Sequence, residues 1–104
     1  MDKQCMVDFL TELGAFDKEL LADVVLEGQK QSLNGRIKMQ PIYATLAIQK
    51  GLTPREVEYR VTNTVQTMRY RGNREKIAET FGCRDQRIYV TPLKFVRVMI
   101  KKFA

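Results

Sequence analysis

Apolar residues recur along the chain at helical spacing, interrupted by short polar or glycine-containing stretches, and this pattern predicts six helices. From Lys3 to Leu13, the residues Met6, Phe9, Leu10 and Leu13 fall on one face, and Gly14 supplies a stop. Asp17 stands where it can cap a second helix, whose stripe of Leu20, Leu21, Val24 and Val25 runs out near Gly28 to Lys30. The stretch QSLNGR, residues 31–36, reads as a loop. Pro41 sits where a third helix can begin, with Ile42, Leu46 and Ala47 inward and Gly51 closing it. Thr53, Pro54 and Glu56 then give a strong start signal: a capping hydroxyl, a proline at the first helical position and a glutamate at the third. The threonine oxygen and the glutamate carboxylate are placed to satisfy orphan backbone N–H groups reciprocally. The fourth helix runs from Pro54 to Arg71, stopped by Gly72, with Val57, Val61, Thr64, Val65 and Met68 on one stripe. A shorter helix from about Asn73 to Phe81 buries Ile77, Ala78 and Phe81. After the loop CRDQRIYV, Thr91-Pro92 repeats the cap-and-proline start, and Leu93, Val96, Met99, Ile100 and Phe103 line the last helix. Residues 88–90 have the character of a short extended piece, but nothing points to a sheet. The expected fold class is all-α: a compact six-helix bundle, one domain over residues 1–104.

Only Gly51-Leu52-Thr53 separates the third and fourth helices. A short glycine-containing turn between helices that cross steeply is the signature of a helix-turn-helix, here placed at about residues 41–71. Ala47 is small where the two helices approach, Leu52 points inward from the turn, and Val57 makes the first core contact of the second helix. At about 100° per residue, the face opposite Val57, Val61 and Met68 displays Arg55, Glu56, Tyr59, Thr62, Asn63, Gln66 and Tyr70. Amides, a hydroxyl, an arginine and aromatic rings are groups that read base edges or hold phosphates. The first turns of a recognition helix enter the major groove, so Arg55, Glu58, Tyr59 and Thr62 are the base-reading candidates. Arg60, Arg69, Arg71 and Arg74 flank them as candidates for phosphate contacts, and Asn63 and Gln66 complete the DNA-binding set.

Charge adds to this picture. Residues 1–34 carry three basic and seven acidic side chains, a net of −4, whereas residues 35–104 carry fifteen and five, a net of +10. A basic region beside an acidic one is the electrostatic footprint of a nucleic-acid binder. The chain has no histidine, and its two cysteines, Cys5 and Cys83, lack any CxxC spacing, so neither a zinc site nor a histidine-based triad is expected. Both cysteines read as small packing residues. Glu56 and Glu58, two apart on a helix, point about 200° from one another and cannot form a carboxylate dyad. No enzyme, cofactor, metal or small-molecule substrate is expected. The absence of a signal-peptide layout and of a long apolar run leads to an expectation of a cytoplasmic protein without membrane partners.

With those residues in hand, the chain resembles the DNA-binding effector domain of the stage-zero sporulation master regulator of endospore-forming Firmicutes. The likeness is densest over TPREVEYRVTNTVQTMRYRGN, residues 53–73: a threonine start, the pair Val57-Glu58, Val61 three residues after the glutamate, and Arg71-Gly72-Asn73 at the end. KIAETFG (76–82), LTELG (10–14) and YATLA (43–47) are similar to the family's short helix, its first corner and the first helix of its helix-turn-helix. The resemblance implies a six-helix fold whose fourth helix enters the major groove. It also implies double-stranded DNA as partner, tandem or dimeric association on DNA, and a role in transcription regulation during sporulation. Glu58 keeps the family's base-contacting glutamate. The positions of Glu56, Tyr59 and Thr62 are basic in the family and that of Asn63 is a histidine, so a different target sequence is expected. The family's receiver domain has no counterpart in 104 residues, which leaves an excised effector domain or a stand-alone relative, the native-looking Met1 favouring the latter. The competing expectation, drawn from the tyrosines and acids on the recognition face, is a protein–protein interaction module that retains the fold without DNA readout.

Overall fold

The computed structural model describes residues 2–33, 35–82 and 90–103. Six helices follow in order: α1 (Lys3–Leu13), α2 (Lys18–Ser32), α3 (Met39–Lys50), α4 (Pro54–Arg71), α5 (Arg74–Phe81) and α6 (Pro92–Phe103). No strand occurs among the described residues, and the Cα radius of gyration of 13.0 Å matches the roughly 13 Å of a compact domain of about 100 residues. The expected all-α, six-helix architecture is thus what the described residues form. The loop over 83–89, the extended character expected at 88–89 and the packing role expected of Cys83 lie outside the described residues.

One hydrophobic core joins all six helices. Met6, Leu10 and Leu13 meet Leu21, Val24 and Val25, and Ile42, Leu46, Val57, Val61, Val65, Met68, Ile77, Phe95, Val96 and Met99 close over them, all buried. Helix α4 packs on α3, α5 and α6, and α2 packs on α1, α3 and α6. The α4 stripe is the one the spacing predicts, and buried Thr64 satisfies its hydroxyl by donating to Arg60 O at 2.8 Å.

Two corners fix how the halves meet. Gly14 adopts φ +89°, which lets Ala15 N–H donate to Leu10 O at 3.0 Å and turn the chain sharply after α1. Against that corner lies the end of α4: a Cβ on Gly72 would collide with the carbonyl oxygens of Leu13 and Met68, and Asn73 N–H donates to Leu13 O at 3.0 Å. Gly72 is extended rather than left-handed (φ −82°), so its glycine answers to space, not to dihedral freedom.

Several expectations are corrected. Helix α2 continues to Ser32 with Gly28 inside it, and the glycine there makes room for α6: a Cβ on Gly28 would stand 2.7 Å from Val96 Cγ1. The loop therefore begins later than residue 31. Helix α3 begins at Met39, two residues before Pro41. The proline occupies the third helical position, where the backbone N–H would have no intrahelical partner anyway. Asp17 is the N-cap residue of α2 but makes no capping hydrogen bond; its carboxylate is engaged elsewhere. The Thr53–Glu56 cap is only half reciprocal. Glu56 N–H donates to Thr53 Oγ1 at 3.2 Å, while the Glu56 carboxylate takes the threonine hydroxyl rather than its backbone N–H. On α6 the buried residues are Phe95, Val96 and Met99, with Leu93, Ile100 and Phe103 at the edges. The stripe is rotated about 55° from the expected one at 100° per residue, because Phe95 stacks toward Phe81 with ring centroids 5.8 Å apart. Cys5 is not a packing residue: it is exposed, and Asp2, whose carboxylate accepts from the thiol at 3.4 Å, pushes that thiol's pKa up.

Candidate nucleic-acid interface

The connection from α3 to α4 is set by local chemistry. Gly51 takes φ +67°, and Leu52 N–H closes back onto Ala47 O at 2.9 Å, the six-residue bond of a Schellman turn. Leu52 tucks against the core and Ala47 is buried beneath it. Thr53 and Pro54 then start α4 immediately, so the helix leaves the corner without slack. Its eighteen residues span about 27 Å at 1.5 Å per residue.

The five buried side chains of α4 lie on one arc, and the position opposite them is occupied by Tyr59, Asn63, Gln66 and Tyr70, which fall within about 60° of one another at 100° per residue. All four are exposed, the two tyrosines at 70% and 71%. The outermost stripe is therefore neutral and hydrogen-bonding, with a ring near each end. Arg55, Thr62, Arg69 and Glu58 follow on one flank; Arg60 and Arg71 lie on the other. A shallow concavity at the start of the helix is lined by Thr53, Arg55, Glu56, Tyr59 and Arg60.

The sequence-predicted residues do not all share one situation. Arg55, Tyr59, Asn63 and Gln66 are exposed and available, and Thr62 is half-buried. Glu58 is exposed but sits well round the flank, toward α3, where its charge reaches Tyr43. Burial, and then that charge, push the Tyr43 hydroxyl up to about 12. Arg60 is not a free cation: its Nε lies 3.4 Å from Asp17 Oδ2 in the turn before α2. Arg69 is half-buried, with its guanidinium 5.2 Å from the ring centroid of Tyr70. Arg71 is exposed at the end of α4, and Arg74 opens α5 beyond the Gly72 bend, so both extend the basic flank past the helix itself.

Two participants escaped the sequence reading. Phe16 is 56% exposed and borders a cleft with Asp17, Arg60 and Asn63, so an aromatic ring from the α1–α2 corner stands beside α4. Asp17 supplies the counter-charge to Arg60. Both are distant in sequence from α4, and only the corner at Gly14 brings them there. In sequence, an aspartate before a helix reads as a cap.

Compared with family models, with curated proteins and with solved structures, the chain finds no match in any of the three. No described helix is long and apolar enough to cross a membrane.

Proposed function

We propose that α3 and α4 form a helix-turn-helix and that α4 reads double-stranded DNA from the major groove, making the chain a sequence-specific transcription regulator. The observation that carries this reading is the outward stripe of Tyr59, Asn63, Gln66 and Tyr70. A helix emerging from a three-residue turn presents amides and rings along its crest, with Arg55, Arg71 and Arg74 beside them pairing with no described carboxylate. The major groove, about 12 Å wide, admits one helix, and asparagine and glutamine pair bidentately with adenine. Arg55, Tyr59, Thr62, Asn63 and Gln66 read bases, while Arg60, Arg69, Arg71 and Arg74 hold phosphates. Glu58 reaches a base only at the groove edge. The motif likeness to the effector domain of the sporulation master regulator points the same way and adds tandem binding of two copies to the proposal. The changed side chains at Glu56, Tyr59, Thr62 and Asn63 give this chain its own target.

A second reading has an observation of its own. The crest of α4 carries no cation, and two strongly exposed tyrosines are what a protein interface uses. A mobility shift against random duplex at two salt concentrations separates the readings. DNA binding loses affinity with a slope of roughly −0.9 per phosphate contacted; no complex even at low salt rejects it. Within DNA binding, Arg55→Ala and Tyr59→Ala relax base preference, whereas Arg71→Ala weakens all duplexes alike.

A further inference from the structure

Helix α6 separates its side chains cleanly. Phe95, Val96 and Met99 are buried, and directly opposite them Lys94, Arg97 and Lys101 are exposed, within about 60° of one another at 100° per residue. None of the three pairs with a carboxylate among the described residues. Beside them runs a groove of about 390 Å³ whose lining is Ile37, Lys94, Arg97, Val98 and Lys101. Its lining is aliphatic and cationic, and no acidic residue borders it among the described residues. Arg36 and Lys38, the exposed neighbours of Ile37, extend the positive charge along the segment before α3.

We propose that this groove binds an acidic amphipathic helix of a partner protein, with carboxylates on Lys94, Arg97 and Lys101 and an aliphatic or aromatic side chain over Ile37 and Val98. Charge complementarity names the occupant. Three cations in a row, paired with no carboxylate among the described residues, call for several negative charges on one face. The aliphatic lining calls for an apolar anchor between them, the pattern of helix-in-groove recognition. A duplex offers the charge, but its apolar groups, the thymine methyls, lie inside the major groove, out of reach of that lining. An anionic membrane offers both, but the apolar face of α6 is spent on the core and has nothing to insert. The groove is also independent of α4. The two helices pack on each other with their buried stripes inward, so their outward faces lie on different sides of the molecule.

The test uses the full chain and two fluorescein-labelled peptides of about 14 residues, both rich in Glu and Asp, one with leucines at helical i, i+3, i+4, i+7 spacing and one with serines there. By fluorescence anisotropy the leucine peptide binds at least about tenfold more tightly. The combined Lys94→Glu, Arg97→Glu and Lys101→Glu variant weakens it by about tenfold or more. Ile37→Ser with Val98→Ser, in a chain whose helical circular dichroism is unchanged, brings the two peptides to within about threefold of each other. Arg55→Ala on α4 leaves binding unaltered, which keeps this result separate from any DNA activity. Equal binding of the two peptides, indifference to the triple charge reversal, or displacement of the leucine peptide by random duplex or by phosphatidylserine vesicles overturns the proposal.

Discussion

The two halves of the chain use charge in opposite ways. In residues 2–33 every acidic side chain is engaged. Asp2 caps α1 through Gln4 N–H, Asp8 accepts from Gln4, Glu12 pairs with Lys76, Asp17 with Arg60, Glu19 with Lys3, Asp23 with Lys3 and Lys50, and Glu27 with Lys30. In the second half, by contrast, Arg36, Lys38, Arg55, Arg71, Arg74, Lys94, Arg97 and Lys101 pair with no described carboxylate. The acidic half thus spends its charge on holding helices together and on neutralising selected cations that reach across to it. The basic half keeps an excess at the surface that no described carboxylate compensates. A net charge of +6 hides this division; pairing reveals it.

The contrast lasts only while the halves stay docked, so the largest effects come from the docking itself. Phe95→Ala empties the space between α6, α5 and the core and costs about 3–5 kcal/mol, read as the midpoint shift in urea at constant slope. Gly72→Ala forces a methyl onto the carbonyls of Leu13 and Met68 and costs about 1–3 kcal/mol, read the same way. A Gly72→Ala protein as stable as the parent would show that the α1 corner and the end of α4 are not pressed together as described.

Smaller effects sharpen the comparison. Burial raises the Asp23 carboxyl, but hydrogen bonds from Lys50 and Lys3 outweigh it and hold the pKa below its ordinary 3.8. A depressed carboxylate contributes stability above its unfolded value and loses it as pH falls through the folded one. Asp23→Asn should therefore cost about 1 kcal/mol near neutrality. The gap should close below pH 3.8. Thermal melts of both proteins across that range check it. Arg71→Gln, on the uncompensated side, should stay within about 0.5 kcal/mol of the parent. Asp17→Asn should cost at most about 1 kcal/mol, as expected of a half-exposed pair. Its informative effect is on binding: releasing Arg60 should tighten duplex binding by about two- to fivefold and raise the salt slope by about one. Glu19→Gln, which removes the same charge away from α4, controls for net charge.

Most of the fold was legible because it is written locally. The α4 stripe, the Gly14 and Gly51 stops and the Thr53 and Thr91 starts all depend on residues within a turn or two of one another. What was not legible depends on contacts between distant segments. Gly28 looks like a helix end, and only the closeness of Val96 shows that a glycine stands there to make room for α6. Phe95 lies off the stripe that spacing selects and is buried because Phe81 and the neighbouring helices are there. In the candidate interface, exposure of Arg55, Tyr59, Asn63 and Gln66 followed from periodicity, but the tethering of Arg60 by Asp17 did not. Glycines 14 and 72 each read as a helix stop; that they abut one another is a fact of tertiary packing.

The most direct measurement is an amide chemical-shift map of the labelled chain titrated with a duplex selected from a random pool. The largest shifts should fall at residues 55–66 of α4 and the turn at 51–53, with secondary ones at Phe16, Asp17, Arg71 and Arg74. Shifts confined to α6, or none at a duplex concentration that saturates other groove-reading helices, would contradict it.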